Sequence, residues 1–387
     1  MGCRWLRGGC PGGFRPILLR RPQPSNRQRA GTEEGEKGIC QGEKETMKAA
    51  VFSEFGGPEV VRLADMEIPE PGPGEVRVGV RAAAMNHLDL WVRRGLPLEI
   101  TMPHIGGSDV AGIVDAVGPG VEGVILGTRV VVDPSLDYGW YDGTPSGPGL
   151  PGREFRIIGE HTQGGFAEYC VVPAANLLEV PEGVPFEVAA AASLVSVTAW
   201  RGLMVRGALR AGERLLVTGA SGGVSTMAIQ LGRLAGARVF AVTSGPENVE
   251  RALELGAHVA YDRDELDWGR AIWEDSGKEG VHLAFDSVGE VIWPQCLKAL
   301  GVGGRLVTFG ATTGARGETE IRTVFWKQLS ILGSTMGNPE DYRRVMDLVF
   351  QRRIGPVIHE VLPLEDARKA HEMLEAGVVF GKLVLKP

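Results

Sequence analysis

The stretch LLVTGASGGVSTMAIQLGRLAGARVFAVTSG, Leu215 to Gly245, decides the fold. Leu215 to Thr218 is a short apolar run suited to a buried strand, and Val224 to Leu234 carries apolar residues at helical spacing. Between them stands Gly219-Ala220-Ser221-Gly222-Gly223-Val224-Ser225. A tight turn there frees backbone N–H groups at a helix start, and small residues let a pyrophosphate approach them. The pattern is a weakened G-x-G-x-x-G, with Ala220, Gly222 and Ser225 in the three glycine positions. A bare glycine match says little, and a merely structural turn is the rival reading. The strand before, the helix after and the following strand ARVFAVT together predict a βαβ dinucleotide site.

The end of that second strand predicts which dinucleotide. An NAD-preferring site places Asp or Glu there to grip the ribose diol. This chain places Thr243-Ser244-Gly245. A 2′-phosphate is not repelled there, and Ser244 can donate to it. NADP(H) is therefore expected, with NAD possible. The immediate loop has no cation. Glu247 is acidic, and Arg251 lies eight residues past Thr243, where a solvated helix face explains it equally well.

Outward from the turn, RLLVTG, ARVFAVT, AHVAY, VHLAFD, GRLVTFG and LSILGS read as strands, mostly with helices between them. That alternation predicts an α/β domain with a doubly wound, mostly parallel Rossmann sheet. FEVAAAASLVSVTAWRGLMV, ahead of it, reads as helix with a β-branched interruption. Residues 47 to about 172 are β-rich and punctuated by Gly and Pro: EVRVGVRAAAM is a strand, VAGIVDAVGPGVEG strand–turn–strand, TRVVVD another strand. The segment at 133–157 is a long polar loop. After Asn338 come the helix DYRRVMDLVFQRR, the strand HEVLPL, the helix DARKAHEMLEAG and the strand GKLVLKP, which is expected to complete the first domain. The expected division is 1–46 as an extension, 47–193 as the catalytic domain, 194–330 as the cofactor domain, and 331–387 as a return to the catalytic domain. The first 46 residues are rich in Arg, Gly and Pro without periodicity, and MKAAVFSEF opens the first plausible strand. The Glu-Gly-Glu-Lys run before it resembles a translated purine-rich ribosome-binding site. Met47 is therefore the expected start, with a disordered arm as the alternative.

Composition narrows the function. The 387 residues carry a net charge of −7 with no long basic run in the folded part, so nucleic-acid binding has no electrostatic footprint. No uninterrupted apolar run reaches the length of a membrane span. The five cysteines, Cys3, Cys10, Cys40, Cys170 and Cys296, form no CxxC, so neither a cysteine-built zinc site nor a disulfide framework is encoded. That usage suits a reducing cytoplasm.

GGPEV at 56–60, PGPGEVRV at 71–78, NHLDLWVRRG at 86–95, GSDVAGIVDAVG at 107–118, GASGGVS at 219–225 and FDSVG at 285–289 give the chain from Met47 to Pro387 its resemblance to the medium-chain dehydrogenase/reductase superfamily. The resemblance implies a GroES-like catalytic domain beside the Rossmann domain, a cleft between them, a small-molecule substrate, hydride transfer to or from nicotinamide, and a homodimer or homotetramer. It also implies where a catalytic zinc would bind, and there this chain departs. The three ligand positions read Asn86, Ser108 and Leu194, and the four-cysteine lobe expected at 133–157 has no cysteine. A metal-free site is expected; one rebuilt from His87, Asp109 and His161 is the alternative. NHLDLWVRRG is similar to the quinone-reductase branch. The relay hydroxyl of alcohol dehydrogenases is replaced by Leu88, so simple alcohol oxidation lacks metal and proton path alike. Reduction of a quinone or an α,β-unsaturated carbonyl needs only hydrogen-bond donors to the spread charge. Alcohol or aldehyde oxidation, and nucleotide binding without catalysis, are the competing readings.

The expected catalytic residues are Asn86 as donor to the substrate carbonyl, Thr198 near the nicotinamide, Asp89 holding the loop, and His161 lining the cleft. For the cofactor they are Gly219 to Ser225 (with Ser221, Gly223 and Val224), Thr243 and Ser244, then Asp286 and Val288 after one strand, and Gly310 and Ala311 after another.

Overall fold

A computed structural model of the chain describes residues 45–138, 155–265 and 267–387. The expectations for the first 44 residues and for most of the 133–157 loop lie outside them. The glycine stretch folds into the centre of a six-stranded sheet whose order is Val259–Asp262, Arg238–Thr243, Arg214–Val217, Val281–Asp286, Leu300–Thr308, Ser330–Gly333. Every neighbouring pair is parallel. Leu215, Leu216 and Val217 are fully buried, as helices on both faces of a parallel sheet require. The order reverses between Arg214–Val217 and Val281–Asp286, and a crevice for a ligand opens at the carboxyl ends of strands at such a point.

The β-rich part is a seven-stranded sheet, a three-stranded one and a two-stranded pair, Ser135–Leu136 with Arg156–Ile157, formed within the segment expected as a loop at 133–157. Glu75–Ala84 runs at the centre of the larger sheet, antiparallel to Asp109–Val117 and to Tyr169–Pro173. Its first six residues alternate in burial and its last three are all buried, so it is amphipathic only where one face meets solvent. The last strand, Lys382–Lys386, lies antiparallel to Glu75–Ala84 and parallel to Ile358–Pro363. The chain thus returns to the first sheet after completing the second.

Two local expectations are corrected. VAGIVDAVGPGVEG yields one strand, Asp109–Val117; the chain turns beyond it and resumes strand only at Arg129–Val132. The helix Phe186–Trp200 is not interrupted by its β-branched residues. Val195 and Val197 are essentially buried, and burying such a side chain stabilises by about 1.5–3 kcal/mol, more than the few tenths lost to helix propensity. The irregularity comes later, as a π-helical turn over Arg201–Arg206. There Gly202 lies against Phe285, and a Cβ would sit 2.3 Å from the ring. Phe186–Arg206 is long and apolar enough by composition to cross a bilayer, but 78% of its most apolar window is buried inside the protein. It is a core helix, packed on the strand Asp109–Val117 and on the helices Gly223–Leu234 and Pro339–Phe350.

Candidate active site

The cofactor half begins at Gly219, whose φ of +52 turns the chain out of the central strand. Ala220 N–H donates to Val242 O at 3.0 Å and Gly222 N–H to Gly219 O at 2.9 Å, closing the turn. Gly222 caps the helix Gly223–Leu234 without a side chain. The helical ladder starts with Thr226 N–H to Gly222 O at 2.9 Å, so the N–H groups of residues 223–225 point out of the helix start. Ser225 stands where a third glycine would because its hydroxyl turns inward and donates to Thr218 O at 2.8 Å. Val288 closes over Gly219, with its methyl 3.1 Å from the position of a Cβ there. Gly310 lies equally close to Ser287, where a Cβ would sit 3.0 Å from the carbonyl. Thr243 is buried, and its hydroxyl has no partner. Free helix-start donors, glycines with little room for a Cβ, and an unsatisfied hydroxyl at the end of the second strand fit a dinucleotide.

Asp286 acts differently. Its carboxylate is fully buried and accepts from the Thr218 hydroxyl at 2.6 Å and from Val288 and Gly289 N–H at 3.1 Å each. It shapes the turn that carries Val288. Ser244 offers its carbonyl to Asn248. Arg251 stacks on the Phe380 ring at 4.4 Å, with Glu247 3.9 Å away.

The substrate half is built where Glu75–Ala84 runs into the helix His87–Arg94. Asn86 caps that helix, and Asp89 at its third position returns a carboxylate to Asn86 N–H at 2.7 Å. The other oxygen of Asp89 accepts from Gly107 N–H at 3.0 Å. Asp89 therefore fastens the two loops that carry the first and second lost zinc positions. Its burial pushes the carboxyl up to about 6 against the pull of those N–H bonds.

The Asn86 side chain is in a buried network that sequence reasoning did not find. Asn86 Nδ2 donates to Asp109 Oδ2 at 2.9 Å. Lys382 Nζ donates to Asn86 Oδ1 at 2.5 Å and to Asp109 Oδ2 at 2.9 Å. Asp109 Oδ1 accepts from Leu194 N–H at 2.7 Å. Asn86, Asp109 and Lys382 are 8%, 0% and 3% exposed, so the ion pair is removed from water, with both oxygens of Asp109 and two N–H groups of Lys382 hydrogen-bonded. Only one N–H of the Asn86 amide is engaged; the second is available to a ligand.

The remaining residues lie around this network. Thr198, one helical turn past Leu194, donates its hydroxyl to Leu194 O at 2.8 Å and keeps lone pairs free. The Ser108 hydroxyl is buried and unpartnered. Glu160, beside Asp89, has its carboxyl raised to about 7, first by burial and then by the Asp89 charge. His161 accepts from Ile157 N–H through Nδ1 at 3.1 Å and lies 3.6 Å from Glu160. His87 reaches solvent, yet surrounding protein and then the Lys382 charge lower its imidazole pKa. Asp109 is engaged by three donors, so the rebuilt metal site has lost its central ligand; among the described residues no three His, Cys, Asp or Glu gather to hold a metal.

The two halves of the site are joined through Gly381. Gly381 N–H donates to Ser221 O at 2.7 Å, and the strand that follows begins with Lys382. A dinucleotide turn joined to a buried polar cluster on a GroES-like sheet defines an NAD(P)-dependent oxidoreductase acting on a small molecule. Two family models match: "Zinc-binding dehydrogenase" over residues 223–351 and "Alcohol dehydrogenase GroES-like domain" over 72–182. Quinone oxidoreductase of Homo sapiens is 30% identical over 88% of this chain and 97% of its own. Acryloyl-coenzyme A reductase of Sulfurisphaera tokodaii is 30% identical over 88% of this chain and all of its own. A solved structure of an NAD-dependent alcohol dehydrogenase superposes with a TM-score of 0.83, at 41% identity, over 88% of this chain and all of that one. The chain belongs to the medium-chain dehydrogenase/reductase superfamily.

Proposed function

We propose that this enzyme reduces a quinone, or the conjugated double bond of an α,β-unsaturated carbonyl, at the expense of NADPH, without a catalytic metal. The observation that carries the reading is the Asn86 amide, held by Asp109 and Lys382 where zinc enzymes of the family place a cysteine ligand. A nicotinamide dinucleotide held by the turn at Gly219–Ser225 would supply hydride to the far carbon of the conjugated system. The second N–H of Asn86 would then donate to the substrate oxygen as it gains negative charge, with the Thr198 hydroxyl as a further polar group of the site, and water would deliver the proton. Ser108 and Leu194 supply no metal ligand. Two of the relatives are named for a quinone and for acryloyl-coenzyme A, a conjugated thioester. Oxidation of an alcohol, the activity for which the solved relative is named, is the competing reading. Parallel assays with a quinone, an enone and a primary alcohol separate the two. Turnover of the first two, undiminished by a chelator, is expected. Chelator-sensitive alcohol oxidation with stoichiometric zinc would refute the proposal.

The same reading assigns NADPH over NADH. Thr243 places no carboxylate against a 2′-phosphate, and its hydroxyl lacks a partner. Fluorescence titration should give tighter binding of NADPH, and Thr243→Asp should shift preference toward NADH by about tenfold or more, equivalent to about 1.4 kcal/mol. Equal affinities in the wild type would refute the assignment. The division at 47–193, 194–330 and 331–387 and a cytoplasmic location belong to the same reading, although the first inner boundary falls within the helix Phe186–Trp200 and the second within the strand Ser330–Gly333 of the cofactor sheet. So does self-association through the exposed edge strand Ser330–Gly333, flanked by Phe325 and Trp326 at 63% and 77% exposure. Sedimentation of the native chain as a monomer would remove that last element.

A further inference from the structure

Lys382 was not among the residues expected at the site, yet it touches both halves of it. Its ammonium bonds Asn86 Oδ1 at 2.5 Å and Asp109 Oδ2 at 2.9 Å. Its stem lies against the dinucleotide turn, so closely that a Cβ on Gly223 would sit 2.7 Å from Lys382 Cδ. Gly381, just before it, bonds Ser221 and pairs with Gly222 in an isolated bridge. Gly381 has a φ of +96, and a Cβ there would stand 2.2 Å from Val357 O, so the chain is tightly constrained as it enters Lys382. The amide of Asn86 accordingly has one orientation. An ammonium only donates and a carboxylate only accepts, so a flipped amide would set NH₂ against Nζ and carbonyl against Asp109.

We propose that Lys382 is a positioning residue: it locks the Asn86 amide with its N–H groups toward Asp109 and the cleft, and transmits the state of the dinucleotide turn to that amide. The catalytic part of this inference rests on the reading of Asn86 as donor to the substrate oxygen; the coupling does not. Without the ammonium, Asn86 Oδ1 loses its donor and Asp109 alone holds the amide, so its second N–H is less firmly aimed at the developing negative charge. The stem also makes Gly223 and Asn86 mechanical neighbours, although they are distant in sequence.

The chain has five asparagines, so selective ¹⁵N-asparagine labelling gives five side-chain amide pairs, and Asn86→Ser identifies the relevant one. The probe is ADP-ribose, which reaches the turn but carries no nicotinamide to touch Asn86. In the wild type it should shift the Asn86 side-chain resonances. In Lys382→Met, which keeps an unbranched stem, it should bind within about fivefold as tightly, about 1 kcal/mol, and leave those resonances in place. Because Lys382→Met leaves Asp109 unpaired, it is measured also together with Asp109→Asn, which removes both charges. That pair should melt close to the wild type while kcat toward the best acceptor stays about 100-fold low; Lys382→Arg should recover part of the rate. An Asn86 shift that persists without Lys382, no shift in the wild type, or full kcat in the charge-free pair would overturn the proposal. Should no conjugated acceptor be turned over, the functional reading fails, but the resonance experiment still decides the coupling.

Discussion

Asp109→Ala should destabilise the protein by about 3–5 kcal/mol, the cost of leaving one member of a buried ion pair without the other. Asp109 is 0% exposed and accepts from Lys382 Nζ, Asn86 Nδ2 and Leu194 N–H. Alanine leaves all three donors facing a cavity. The ammonium is the costly one, because Lys382 is 3% exposed and its one remaining acceptor is Asn86 Oδ1. Urea denaturation at pH 7 measures the loss. A loss below about 1 kcal/mol at pH 7 would show that water reaches Lys382 and that the network is not sealed.

Asn86→Ala should lower kcat/KM toward a conjugated acceptor by about 10–100-fold, or about 1.4–2.7 kcal/mol of transition-state stabilisation. The loss should fall mainly on kcat, because the hydrogen bond strengthens only as the oxygen gains charge. NADPH affinity should change little, since the turn at residues 219–225 keeps its own hydrogen bonds. Steady-state kinetics with cofactor titration of the same preparation reads both quantities. Unchanged kcat/KM would reduce Asn86 to a bridge between two strands of the core.

The sequence is most informative where chemistry is local. Six strands of the cofactor sheet are legible because a parallel sheet covered on both faces is written as short apolar runs. The turn at Gly219–Ser225 is legible because its strand and helix adjoin it. Asp89 is legible as a loop fastener because a capping acid stands three residues after its cap. The Asn86–Asp109–Lys382 network has no such signature. Lys382 lies 296 residues from Asn86 and 273 from Asp109, and GKLVLKP reads only as a strand with a basic start. Pairing to Glu75–Ala84 and the bond from Gly381 to Ser221 bring it inward, and both are long-range contacts. Asp109 reads from the sequence only as a candidate ligand of a rebuilt metal site. The helix at Phe186–Trp200 misleads for the opposite reason: a local preference of valine gives way to burial on all sides.

The central claim is that hydride goes to the far carbon of a conjugated acceptor. It is tested most directly by supplying NADPH deuterated at the transferable C4 position with an enone and locating the label in the product by NMR. One deuterium on the β-carbon of a saturated ketone is the predicted result. Deuterium on the carbonyl carbon of an allylic alcohol would contradict the account and favour carbonyl reduction of the alcohol-dehydrogenase kind.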